Sequence, residues 1–152
     1  MTQMDMTDIT QVRAAAKRLR TFLDCASDGV HILDEDGNVV DCSQSFARML
    51  GYSLDQARRL NIADWEAQIP REQLPAEVRR LMREPALFET VYRRRDGSTL
   101  FVEINAAGVS LDGQQYLYAA ARDISARRSY EAALKTSEAR FRSIFERANT
   151  GI

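Results

Sequence analysis

Side chains able to carry out chemistry are scarce in this 152-residue chain. It holds one histidine, His31, and two cysteines, Cys25 and Cys42. These three cannot assemble a four-ligand zinc site or a disulfide framework. A single histidine also argues against Ser-His-Asp hydrolysis and against metal-centred chemistry. Asp34 and Asp36 form a carboxylate pair, but they precede Gly37, and turn propensity explains acids there without acid–base catalysis. Neither a Gly-rich phosphate loop nor a nucleophile elbow is present. Nothing cationic adjoins Cys42 to depress its pKa, so both cysteines read as inert buried thiols. The expectation is a chain that is not itself an enzyme. What remains is recognition: His31 can contact a ligand or sit satisfied in a core, and Trp65 can stack on a planar ligand or seal the fold.

Composition narrows the partners. The chain is 45% hydrophobic and 28% charged, which suits a globular domain and excludes intrinsic disorder. Its 21 Lys plus Arg balance 22 Asp plus Glu, a net charge of -1, against the basic excess a nucleic-acid binder carries. Nineteen of those cations are Arg, a bias with no physical explanation in the sequence. The longest apolar run, 116–121, is far short of the ~20 residues that span a bilayer, and the polar, acid-bearing start predicts no signal peptide. A cytoplasmic, reduced setting is expected.

The elements that position these residues follow from turn and periodicity signals. Ile9, Val12, Ala16, Leu19 and Leu23 recur at spacings of 3 and 4, which predicts an amphipathic helix over 9–26. Asp36-Gly37, Asp96-Gly97 and Asp112-Gly113 are hairpin signals flanked by apolar residues. They define strands at 30–34, 39–42, 87–94, 99–109 and 115–123, paired as a hairpin and a three-strand meander. Along the fourth strand, Leu100, Val102, Ile104 and Ala106 alternate with Phe101, Glu103, Asn105 and Ala107, and the first set is expected to face the core.

Between the hairpin and the meander the pattern turns helical. Ser43 or Ser45 can cap a short helix carrying Phe46, Met49 and Leu50 and ending at Gly51. Ser53-Leu-Asp-Gln56 is a capping box opening a second helix through Leu60. Pro75 suits the first residue of a third, with Pro85 stopping it. The fold class is therefore α+β: a five-stranded antiparallel sheet with a helical crossover on one face, flanked by N- and C-terminal amphipathic helices. In the last helix Arg127, Tyr130, Leu134, Ser137, Phe141, Ile144 and Ala148 are spaced 3 and 4 apart. That stripe is either a parallel coiled-coil seam or the face of a helix lying back on its own domain.

One self-similarity organises the chain. Residues 18–30 align without gaps on 140–152, matching at Arg, Arg, Ala and Gly and mostly in type elsewhere. The offset equals one domain, so a second copy of the same unit is expected to begin at the end. Boundaries follow: 1–26 an N-terminal helix, 27–124 the core, 125–139 a linker helix, and 140–152 the start of a second unit.

Four motifs in order resemble the PAS sensory domains: Ser27-Asp-Gly-Val-His-Ile-Leu-Asp-Glu-Asp-Gly-Asn38, Ser45-Phe-Ala-Arg-Met-Leu-Gly-Tyr-Ser53, Phe88-Glu-Thr-Val-Tyr-Arg-Arg-Arg-Asp-Gly-Ser98 and Arg122-Asp-Ile-Ser-Ala-Arg-Arg128. The last is similar to the Asp-Ile-Thr signature joining a PAS core to its output helix. The resemblance covers about 20–128. It implies a pocket lined by His31, Leu33, Phe46, Met49, Trp65, Met82, Phe88, Tyr92, Val102 and Ile104, or else a core that these side chains fill. Light-sensing flavin relatives carry an Asn-Cys-Arg motif where this chain reads Asn61-Ile62-Ala63, so no photoadduct forms. Haem-binding relatives place an axial His on the crossover helix, and 76–84 has none, which argues against haem. A non-covalent flavin or a small organic ligand stays open.

The resemblance also implies a sensor of a multidomain protein whose output is a histidine kinase, a diguanylate cyclase or a phosphodiesterase, lying beyond this chain. The junction Asp123-Ile124-Ser125 is expected to couple sheet to helix, with Ser125 as N-cap and Asp123 paired to Arg93, Arg94 or Arg95. A homodimer through the flanking helices, seamed by Tyr130, Leu134, Phe141 and Ile144, completes the expectation.

Overall fold

All three Asp-Gly pairs form turns, by two different routes. Gly37 and Gly97 take positive φ (82° and 88°) beside ordinary aspartates, whereas Asp112 itself is left-handed (φ 50°) ahead of Gly113 (φ 79°). Two successive positive φ angles are the type I′ geometry that matches strand twist, and this tightest turn joins the two longest strands. The computed structural model describes residues 10, 11, 13, 14, 17, 18, 20, 21 and 27–150, with backbone alone for 147–150.

The chain runs β1 (Gly29–Leu33), β2 (Val39–Cys42), α1 (Gln44–Leu50), α2 (Leu54–Ala57), α3 (Leu74–Arg83), β3 (Ala86–Arg93), β4 (Thr99–Leu111), β5 (Gln114–Asp123) and α4 (Ser125–Thr150). Two 3-10 turns, Ile62–Asp64 and Arg71–Gln73, lie between α2 and α3. The strands form one antiparallel sheet in the order β2-β1-β5-β4-β3, so the first hairpin joins the meander through β1 and β5. This is the α+β architecture expected from the sequence.

Local chemistry sets the boundaries. Ser43, not Ser45, caps α1: its buried hydroxyl accepts from Phe46 N (3.2 Å) and also from Val30 N (3.0 Å), so one oxygen serves the helix start and β1 together. Gly51, at φ 83°, ends α1 in the left-handed conformation. The Ser53–Gln56 capping box forms, but α2 closes at Ala57 rather than Leu60. A second reciprocal cap, Asn61 with Asp64, opens the first 3-10 turn.

The inner face of β4 buries Leu100, Val102, Ile104 and Ala106 as alternation required, and β5 adds Leu117, Ala119 and Ala121. Val78 and Leu81 of α3 close over them. Near Gly108 the approach is so tight that a Cβ there would stand 2.0 Å from the Met82 carbonyl oxygen.

Ile9, Val12, Ala16, Leu19 and Leu23, which carry the expected N-terminal helix, lie outside the described residues, as does Cys25, expected to be a buried thiol. Those described between 10 and 21 are helical, and Arg20 bonds Asp41 and the Cys42 carbonyl, each at 2.9 Å. At the other end α4 runs unbroken past residue 139, where the sequence places a unit boundary, and 151–152 fall outside the description. No helix among the described residues is long and apolar enough to cross a membrane.

Candidate functional site

The inner face of the sheet and the crossover enclose a cavity of about 20 Å³. That is room for the centre of roughly one water molecule, against several hundred Å³ for a drug-sized ligand. Five of the ten expected pocket residues line it: His31, Leu33, Phe88, Tyr92 and Ile104. The other five do not. Phe46, Trp65 and Val102 are fully buried behind the wall, and Met49 and Met82 are partly buried against the core. The wall is completed by residues the sequence reading did not select: Ile62, Glu66 and Ile69 from the crossover, Glu77, Val78 and Leu81 from α3, and Ala106, Leu117 and Ala119 from the sheet.

The cavity is small because aromatic rings occupy the space beside it. His31 stacks on Phe46 with centroids 4.3 Å apart, and Trp65 meets both rings edge-on at 5.4 and 5.2 Å. Tyr92 adds edge contacts to His31 and Trp65, both at 6.3 Å. Offset and edge geometries at these separations are the favourable ones for aromatic pairs. Trp65 is held by its backbone as well, since its carbonyl accepts from Arg93 N (2.6 Å) while Ala67 N donates to the Val91 carbonyl (2.9 Å). The crossover therefore runs briefly alongside β3 as an added edge.

Polar groups inside this wall are unevenly satisfied. Oε1 of Glu66 accepts from the Thr90 hydroxyl (2.5 Å) and from Gln68 N (3.2 Å) and Ile69 N (3.3 Å). Burial nevertheless raises its pKa, with those hydrogen bonds opposing the shift. Burial pulls His31 down to about 4, so the imidazole is neutral at pH 7. Burial, then the Glu66 charge, hold the Tyr92 phenol well above its ordinary range. Among the described residues Nδ1 of His31 and Nε1 of Trp65 make no hydrogen bond of good geometry, although the Gly29 backbone favours the charged imidazole and the Trp65 side chain favours the Tyr92 phenolate. Cys42 is buried and pushed up to about 11, first by desolvation, which suits an inert thiol. Ile62 lines the cavity at the position where the flavin relatives carry their thiol. Among the described residues no three His, Cys, Asp or Glu gather in a metal-binding group.

The sheet-to-helix junction differs from expectation in two ways. Ser125 is the first helical residue rather than the N-cap: its N–H donates to Asp123 Oδ1 (2.9 Å), and the Ile124 carbonyl accepts the first helical bond from Arg128 N (3.0 Å). Ile124 is buried and ties back to the Phe101 carbonyl (3.0 Å). Asp123 therefore spends its carboxylate on a backbone N–H, and no ion pair to it occurs among the described residues. Arg94 is committed elsewhere, to the Met49 carbonyl (3.3 Å) and Ser98 Oγ (3.2 Å), at the far end of β3.

The cations that do hold the junction are Arg127 and Arg128. Glu89 and Glu103 face each other across β3 and β4, a like-charge pairing that is unfavourable alone. Arg127 reaches both, at 2.5 and 3.6 Å, and Glu131 at 3.7 Å. Arg128 bonds Glu89 at 3.1 Å and lies over the Phe101 ring at 4.2 Å. Beyond this clamp the stripe of α4 is uncovered: Tyr130, Leu134, Phe141 and Ile144 are all exposed, and Phe145 joins them.

The model of a family described as the PAS domain matches residues 27–126. Sporulation kinase E of Bacillus subtilis (strain 168) is 27% identical over 127 residues, 82% of this chain but 17% of that protein. The PAS domain of an HTR-like protein from Haloarcula marismortui superposes with a TM-score of 0.71 at 26% identity, covering 79% of this chain and 100% of that one. A PAS domain from a two-component sensor histidine kinase gives 0.63 at 18% identity, over 74% and 99% of the two chains, a likeness of fold alone.

Proposed function

The chain belongs to the PAS domain family, and on that premise we propose that it relays a conformational signal from its core through α4 to a downstream output domain. The observation that carries this reading is the two-sidedness of β3. Phe88, Thr90 and Tyr92 face the cavity and its polar wall, while Glu89, between them, holds Arg127 and Arg128 at the root of α4. A shift of the strand from within necessarily moves the anchor without. In this reading Asp123, Ile124 and Ser125 set the exit angle of the helix, and Arg94 drops out of the coupling set.

A histidine kinase is the output the relatives favour; a diguanylate cyclase or phosphodiesterase draws no support from them. The domain division is 27–124 for the core and 125–139 for the linker helix, with 140–152 opening a second PAS unit on the strength of the internal repeat. The exposed stripe of Tyr130, Leu134, Phe141 and Ile144 supports a homodimer along α4, in a cytoplasmic setting.

The test is Arg127→Gln and Glu89→Gln in the full-length parent, read by autophosphorylation with and without stimulus. Altered signalling in a folded protein supports the relay; unchanged output in both variants removes it. Sedimentation of this chain at tens of micromolar checks the dimer, and a monomer there removes that premise.

Two readings of the core remain, and each has its own support. A cavity of about 20 Å³ favours a core filled by its own side chains, and a flavin or haem does not enter it unless they move. The unpartnered Nδ1 of His31 favours a small occupant.

A further inference from the structure

Resting on the second of those readings, that the cavity takes an occupant, we propose that the occupant is a small cation bearing N–H donors, an ammonium group. The wall contains two carboxyl groups, Glu66 and Glu77, and neither Lys nor Arg lines it. Glu77 is already engaged by Arg80 on its own helix, with Nε at 3.2 Å from Oε2. Glu66 is not compensated in that way. Its hydrogen bonds come from two backbone amides and a hydroxyl, and the exposed Arg93 of β3, whose charge partly compensates it, forms no salt bridge with it among the described residues. A carboxylate at 7% exposure is costly: burial drives it towards the neutral acid, and a bound cation offsets the same cost while leaving it ionised.

A second feature points the same way. His31 is 2% exposed and lines the cavity, and its Nδ1 makes no hydrogen bond of good geometry among the described residues, the Gly29 backbone acting on it only as a weak neighbour. A neutral imidazole carries a lone pair on one nitrogen, and an ammonium N–H can donate to it. Phe88 and Tyr92 also line the cavity, and aromatic rings attract a cation that meets them face-on. Size agrees, because a cavity of about 20 Å³ seats one tetrahedral, water-sized group. Chemistry excludes the opposite class: a carboxylate or phosphate ligand would meet Glu66 and Glu77 with no cation in the wall. Water could satisfy Nδ1 but would leave Glu66 to be neutralised by a proton rather than by a counter-charge.

The test is an amide chemical-shift titration of this chain at fixed pH and ionic strength, with ammonium chloride, methylammonium chloride and potassium chloride as probes. Saturable shifts at His31, Gln68, Ile69 and Thr90 are expected with ammonium and not with potassium, a cation of similar size without N–H donors. Shifts with methylammonium as well assign the site to the headgroup of a short amine; shifts with ammonium alone assign it to the free ion. Glu66→Gln should weaken binding by about tenfold or more, as expected when a charged hydrogen bond is lost. Should that variant not fold, His31→Phe serves in its place and should also weaken binding. No saturable shift, an equal response to potassium, or undiminished binding in a folded variant overturns the proposal. Because the relay is read at Arg127 and Glu89 in the parent protein, it stands or falls separately.

Discussion

Phe46 and Phe141 are the same residue in opposite circumstances. Phe46, on the seven-residue α1, is fully buried between the rings of His31 and Trp65. Phe141, on the 26-residue α4, is 72% exposed, and its ring neighbour is Phe145 of the same helix. The short helix is stabilised by what it covers, since so few residues are marginal alone. The long helix is anchored at its root by Arg127 and Arg128 and then leaves the sheet with its apolar stripe open. The core is complete in one chain, and α4 is not.

Substitutions at the two sites test that contrast most strongly. Phe46→Ala should cost ~3–5 kcal/mol of core stability in denaturant unfolding, and Phe141→Ala in dilute protein less than ~0.5 kcal/mol. Equal costs would mean that α4 folds back on its own domain.

Next in size is the pH response of the buried imidazole. His31 titrates at about 4 when folded and at its ordinary 6.5 when unfolded, so the unfolded chain binds the extra proton between those values. Its contribution is complete above pH 6.5 and is lost as pH falls towards 4, by up to ~3 kcal/mol. Glu66, with its raised pKa, acts in the opposite direction, so the measurement is the wild type minus His31→Phe, unfolded across that window. A difference that does not vary with pH would place the imidazole in contact with water.

Ser43→Ala sharpens the picture of how α1 is fixed. Its hydroxyl serves both Phe46 N and Val30 N, so its loss should cost ~1–2 kcal/mol by thermal or denaturant unfolding, more than an exposed cap. A cost no greater than that of Ser53→Ala would remove the role of the bond to β1. The smallest effect is expected at the root of α4, where Arg127→Gln should change stability by only ~0–1 kcal/mol because the pairs are exposed. A larger loss would make that clamp part of the core.

The sheet was legible because two simple signals agreed. Asp-Gly pairs placed the turns, and alternation along Leu100–Ala106 placed the inner face. The cavity was legible only in part. Phe88, Tyr92 and Ile104 follow strand alternation, but Glu66 breaks the apolar pattern and sits in a segment without periodicity, where a wall carboxylate resembles any surface acid. Leu117 and Ala119 alternate along β5 and carry the same signal. Trp65 and Phe46 are large, and size places a ring in the interior, not at the edge of a void. At the junction, the sequence offered six arginines near two strand ends. Only the register, which sets Glu89 opposite Glu103, singles out Arg127 and Arg128.

Gly108 gives the crossover a fulcrum. With the Met82 backbone resting where a Cβ would be, the C-terminal end of α3 has no slack against β4. The opposite end, eight residues from Met82, begins at Leu74 after a 3-10 turn. The arm from Met82 to Leu74 is about 12 Å long, so a tilt of about 5° about the Gly108 contact swings its far end by about 1 Å. The cavity wall of α3, carried by Glu77, Val78 and Leu81, lies along that arm. A tilt about that point would open the void as a wedge, widest towards Leu74, rather than evenly.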